Sequence, residues 1–145
     1  MTHKIEPPHI YLAQVSEDLG FGAFSANVFS EGEIVEASPA LVLTGRYKDF
    51  PIEIKHRVFN WGRLSQTKPD TSLALAQGYG SYYNHSDTPN LMYKADSTSM
   101  TIQFIARKAI AQNEQLTIHY NQKIDGSLPK KTTWFKNKKI EQTNV

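Results

Sequence analysis

Short runs of alternating apolar and polar residues dominate the chain, and turn-forming residues separate them. Ile10 to Val15 alternates and predicts a first strand. Gly20-Phe21-Gly22-Ala23-Phe24 reads as a turn feeding a second short strand, and Ser30-Glu31-Gly32-Glu33 as another turn. Ile34-Val35-Glu36-Ala37 predicts a strand, Pro39 interrupts it, and Ala40 to Leu43 resumes an extended run. Asp49 to Asn60 is the one predicted helix, with Pro51 suited to its first position, although Ile52, Val58 and Phe59 give only part of an apolar face. Gly62 to Ser72 is polar and predicts loop, and Leu73 to Ala76 an ordered segment that ends in the Gly78-Tyr79-Gly80 turn. Further strands are expected at Leu91 to Lys94, Met100 to Ala106 and Gln115 to His119. Many short strands, one short helix and no repeat imply a small, mostly β domain.

Composition narrows the class. A chain of 145 residues fits one domain and buries enough surface for a core without staples. It has no cysteine, so disulfides and thiolate metal sites are excluded. The first residues, MTHKIEPPHIYLAQ, hold no apolar leader segment, and no stretch is long and apolar enough for a membrane span. The expectation is a soluble, cytoplasmic protein, or a nuclear or host-delivered one if it comes from a eukaryote, virus or pathogen. Residues 1–120 carry ten Lys/Arg and twelve Asp/Glu, whereas residues 121–145 carry six Lys and two acids. The basic excess is therefore confined to the tail, and the net −2 of the rest argues against a nucleic-acid partner.

The chemistry concentrates in Tyr82 to Asn90, YYNHSDTPN. Six hydrogen-bonding side chains stand in the seven positions Asn84 to Asn90, behind two tyrosines. Such a composition suits a turn-rich surface loop. Burial of Tyr79, Tyr82 and Tyr83 would instead press the polar cluster against the core, where its groups need partners. Composition alone leaves a dense internal network and a ligand site both open.

The order of these residues goes further. Asn84-His85-Ser86-Asp87-Thr88-Pro89-Asn90 resembles the Asn-His-Ser-x-x-Pro-Asn signature of the SET-domain protein lysine methyltransferases. Gly20-Phe21-Gly22-Ala23-Phe24 with Ser30 to Ile34 is similar to that family's opening segments. Ile105 to Ile110 and Asn113 to Tyr120 resemble its closing block, and Trp134-Phe135 stands where small bacterial and viral members carry an aromatic pair. The resemblance covers about Val15 to Phe135. It implies a β-clip-like fold of several short sheets, with one or two short helices and a C-terminal segment threaded as a pseudoknot. The boundaries that follow are a lead-in over 1–9, a domain over 10–135 and a basic tail over 136–145.

The resemblance also implies roles. S-adenosylmethionine would be held by Gly20, Phe21, Gly22, Asn84, His85 and Tyr120, with Tyr120 the catalytic residue. Tyr82, Ile118, Trp134 and Phe135 would line a channel for a substrate lysine, with no metal. The partner is a protein presenting that lysine, a histone or another basic protein. Ile118 stands two before the tyrosine, where Phe or Tyr often limits product size, so multiple methylation is expected to fit.

Departures from the pattern mark where the site differs. Ser81 replaces an arginine that often precedes the signature, Asp87 replaces a cysteine, and Asn113 replaces a glycine. Arg57 aligns where small members carry tyrosine. No cysteine-rich flank follows Tyr120, so Trp134-Phe135 or the second subunit of a homodimer must close the channel. His119 is expected to face away from Tyr120 by strand alternation, without a role. The alternative function is a non-catalytic SET-like module that binds a peptide or protein.

Overall fold

The computed structural model describes residues 4–18, 20–69 and 71–130. Strand β1, Ile10–Ser16, pairs antiparallel with β2, Gly20–Ser25, to form a two-stranded ribbon. Strand β3, Ile34–Leu43, is the longest and joins two halves of a five-stranded sheet. Its first half pairs with β8, Thr101–Ala106, and its second half with β5, Leu73–Ala76. Strand β4, Val58–Phe59, borders β5, and β7, Leu91–Asp96, borders β8. The order across the sheet is β4-β5-β3-β8-β7.

Pro39 does not break β3. It pairs with Thr101 at the last rung of the β8 ladder, and the β5 ladder starts at Ala40. A proline lacks the donor a central rung needs, and here it sits where the strand changes partner.

The predicted helix over Asp49–Asn60 shrinks to α1, Ile52–Lys55, preceded by a 3-10 turn over Tyr47–Asp49. Val58 and Phe59, counted toward its apolar face, are both buried and leave as β4, because adjacent buried β-branched and aromatic residues suit a sheet edge facing the core. A second helix, α2 at Trp61–Ser65, forms inside the expected loop, where the Asn60 side chain accepts the Arg63 N–H as a cap. The signal for α2 is this cap followed by buried Trp61 and Leu64.

Phe104 is fully buried at the centre of the sheet, with Phe59, Tyr83 and Tyr93 rings 4.6–6.2 Å from it. Leu91, Ile102, Ile110, Leu116 and Ile118 fill the surrounding core. Burial of each such side chain contributes roughly 1.5–3 kcal/mol. Two of these core residues belong to the segment that builds the site: Ile118 lies in its short strand and Leu116 just before it.

Candidate active site

The site depends on a two-stranded parallel pairing of β6, Asn84–His85, with β9, Thr117–Ile118. Parallel neighbours need a crossover, and the β7–β8 hairpin supplies it. Asn90 locks the pair: its Nδ2 donates to Glu114 Oε2 at 2.7 Å and to the Gln115 carbonyl at 2.8 Å, and its Oδ1 accepts the Thr117 N–H at 2.9 Å. The final asparagine of the signature thus ties the sequence-remote closing block to the loop that precedes β7. Asn113 adopts φ 69°, the left-handed backbone that an asparagine tolerates, and its Oδ1 accepts the Tyr11 hydroxyl at 2.9 Å.

Two openings meet at Tyr120. An open cleft of about 440 Å³ is lined by Gly20, Phe21, Tyr82, Asn84 and Tyr120, together with Asp18, His56, Arg57 and Ser81. A narrow pocket of about 20 Å³ is walled by Val58, Phe59, Tyr83, Tyr93 and Ile118, and Arg57, Ser81 and Tyr120 line it as well. That volume holds about one water or one small head group. The Tyr120 hydroxyl donates to the Tyr83 carbonyl at 3.3 Å. Burial pushes the Tyr120 phenol above its ordinary range, against the His85 backbone and the charge of Arg57, which pull it down.

Sequence-predicted residues fall into three groups. Gly20, Phe21, Asn84 and Tyr120 line the cleft itself, with Phe21 55% exposed there. Gly22 and His85 act from behind it. A Cβ at Gly22 would stand 2.7 Å from Gln115 Oε1 and 3.0 Å from Asn84 Nδ2, so its absence lets the 2.9 Å Asn84–Gln115 hydrogen bond form against β2. His85 Nδ1 accepts the Tyr120 N–H at 3.1 Å. Ile118 borders the narrow pocket, whereas the Tyr82 ring has the Arg57 guanidinium 5.2 Å from its centre. Trp134 and Phe135 lie outside the described residues.

Sequence reasoning missed several supports. Glu36 is buried, its Oε1 accepting the Tyr83 hydroxyl at 2.6 Å and its Oε2 the Tyr79 N–H at 2.8 Å. Burial raises its pKa despite these bonds, and burial together with the nearby Glu36 charge holds Tyr83 well above its ordinary value. A bulge between Ile34 and Glu36 turns this acid inward, out of step with simple alternation. His119 is also buried, its ring 4.5 Å from that of His85. Strand alternation does not isolate it, because β9 ends at Ile118.

His85, Asp87 and His119 have the residue types of a metal site, with their ligand atoms within 4.8 Å of one another. Their hydrogen bonds oppose that use. Nδ1 of His85 accepts the Tyr120 N–H and Nδ1 of His119 accepts the Asn121 N–H. Each neutral ring must then carry its proton on Nε2, facing Asp87 Oδ1 at 3.1 and 3.9 Å. A ligating histidine shows the reverse pattern, donating from its outer nitrogen. The pKa of His119 is lowered to about 4, chiefly by burial and then by His85.

The cleft suits S-adenosylmethionine in its donor set. A guanidinium, an Asp carboxylate, the three aromatic rings of Phe21, Tyr82 and Tyr120 and the Asn84 amide line one opening, a set that fits the carboxylate, ammonium, base and ribose of that molecule.

The SET domain family matches residues 20–121. A histone-lysine N-methyltransferase of Schizosaccharomyces pombe, described as specific for H3 lysine 37, is 27% identical over 105 residues, 72% of this chain and 69% of the relative. A crystal structure of a Plasmodium falciparum protein described as a candidate histone methyltransferase superposes with a TM-score of 0.61 at 24% identity, covering 80% of this chain and 96% of that one. A polycomb repressive complex 2 of Chaetomium thermophilum, autoinhibited and bound to S-adenosylmethionine, superposes with a TM-score of 0.62 at 21% identity. It covers 94% of this chain but only 17% of that chain. At these identities the solved structures speak to the fold.

Proposed function

The chain belongs to the SET-domain family, whose chemistry is methyl transfer from S-adenosylmethionine to a protein lysine, and we propose that Tyr120 and its surroundings carry out that reaction here. The observation that carries the assignment is the β6–β9 pairing, which brings Asn84 and Tyr120 to one cleft with Gly20 and Phe21. S-adenosylmethionine supplies a methyl group already activated on a sulfonium, so the work left to the chain is positioning.

Three features of the chain do that work. The apolar walls Val58, Phe59 and Ile118 desolvate an entering lysine and lower its pKa toward the neutral, nucleophilic amine. The phenol of Tyr120, raised by burial, keeps its proton at neutral pH. It therefore orients the amine and offers an oxygen dipole, and it does not serve as a base. Finally, Tyr83 anchors Tyr120 from below through its carbonyl, while Glu36 holds the Tyr83 hydroxyl.

A histone or similarly basic protein is the substrate we propose, supported by the yeast relative's stated specificity. Ile118, aliphatic at the pocket wall, supports more than one round of methylation. Calorimetry with S-adenosylmethionine tests the cleft, and a radiolabel screen on histones with Tyr120→Phe as control tests catalysis. No binding by the wild type at near-millimolar cofactor would favour a non-catalytic peptide-binding module.

A further inference from the structure

Among the described residues, Arg57 is the one Lys or Arg that lines the open cleft. Its guanidinium is fixed on two sides. One Nη donates to the Ser81 carbonyl at 3.1 Å, and the group lies 5.2 Å from the centre of the Tyr82 ring. A cation–π contact of this kind holds a guanidinium in place without using up its donors. Among the described residues no carboxylate forms an ion pair with Arg57, although Asp18 lines the same cleft. A guanidinium presents five N–H donors in a rigid fork matched to a carboxylate. A cation that is prepositioned in a ligand cleft, and has no anion of its own, is set up to receive one from the ligand.

The function proposed above puts one anion in this cleft, the carboxylate of the methionyl part of S-adenosylmethionine. We propose that Arg57 binds that carboxylate and makes it the feature by which the cleft selects its cofactor. Arg57 borders both the cleft and the narrow pocket, as Tyr120 does. Holding the carboxylate at Arg57 therefore directs the short methionyl chain along the cleft toward Tyr120. Arginine is better suited to this task than lysine, since its fork of five donors can bond the Ser81 carbonyl and still meet a carboxylate in bidentate fashion.

The inference rests on the proposed cofactor, and a binding experiment separates the two. Calorimetry compares S-adenosylmethionine with decarboxylated S-adenosylmethionine, which keeps the sulfonium, ribose and base. The wild type should bind the first about tenfold or more tightly than the second, the scale of a charge-assisted hydrogen bond. Arg57→Gln should lose that factor for S-adenosylmethionine and bind the decarboxylated form as the wild type does, bringing the ratio near one. Arg57→Lys should keep part of the preference. Binding of the decarboxylated form also reports that the variant is folded. A wild-type ratio near one overturns the proposal without any variant, and an unchanged ratio in Arg57→Gln overturns it for this residue. If the wild type binds neither compound, the cofactor assignment itself fails and this inference with it.

Discussion

The backbone N–H of Tyr120 donates to Nδ1 of His85 across 3.1 Å, and this bond sets both the histidine tautomer and the place of the tyrosine. With Nδ1 accepting, the ring proton stands on Nε2 and meets Asp87 Oδ1 at 3.1 Å. The second residue of the signature therefore works through its side chain on the backbone of the closing block. His85→Ala should remove both of these hydrogen bonds, each worth about 1 kcal/mol of stability. Its larger effect should fall on kcat, by about tenfold to 100-fold, because small displacements of a positioning group are costly. Steady-state kinetics together with a thermal melt checks this, and a kcat within twofold of the wild type counts against the positioning role.

Tyr120→Phe removes the hydroxyl and leaves the ring among Tyr83, Ile118 and Arg57. Cofactor binding should persist, while kcat should drop by about 10²-fold, the usual cost of one preorganised polar group at a reacting centre. Since burial raises the Tyr120 phenol, no loss of activity near neutral pH should trace to its ionisation. Ultraviolet titration of tyrosinate in the wild type and the variant reads this directly. Tyrosinate that appears below pH 10 only in the wild type would contradict it.

His119 makes stability depend on pH with a definite sign. Its ordinary pKa of 6.5 falls to about 4 in the folded chain. Between those values the unfolded chain binds the proton and the folded chain does not, so stability declines as pH falls from 6.5 to 4 and this group adds nothing further below that. Glu36, raised by burial, works in the opposite direction as its folded form takes up a proton first. The comparison that isolates His119 is therefore wild type against His119→Gln. Thermal midpoints of the variant should fall less steeply over that window, and equal slopes would remove His119 as the cause.

The same tautomers bear on metals. Zinc bound at His85, Asp87 and His119 would have to break the Nδ1 bonds to Tyr120 and Asn121. Added zinc at stoichiometric concentration should leave the melt at pH 7 unchanged, and a chelator should not reduce methyl transfer. A rise of several degrees in the midpoint with one equivalent of zinc would show that the ring protons are displaced after all.

Local pattern and motif order made much of this chain legible. The alternation of Thr101 to Ala106 marked β8, and the order of Gly20, Asn84 and Tyr120 pointed to a cleft that only long-range pairing assembles. The misses share a physical origin in tertiary context. Val58 and Phe59 look helical beside Ile52 but are claimed by the edge of β5. Pro39 looks like a breaker until the strand's change of partner is known. Glu36 and Arg57 gain their roles from Tyr83, Ser81 and Tyr82, residues more than twenty positions away that no local window contains.

Gly22 offers the sharpest test of how the opening turn serves the cleft. Its φ is not in the left-handed region, so the requirement is space and not backbone freedom. A methyl group there would meet Val15 Cγ2 and Gln115 Oε1, each at 2.7 Å, and Asn84 Nδ2 at 3.0 Å. Two of these three atoms form the hydrogen bond that orients Asn84 toward the cleft. Gly22→Ala must therefore push β2 from β1 or part Asn84 from Gln115. Overpacking of this kind costs roughly 1–3 kcal/mol, and cofactor affinity should fall about tenfold or more as the amide turns away. Gly20→Ala is the informative contrast: it meets no atom within 4 Å but sits at φ +69°, so it should strain the turn without touching Asn84. Calorimetry and melts on both variants separate the effects. Equal losses of cofactor affinity in the two would mean that turn conformation, and not the Asn84 contact, is what Gly22 protects.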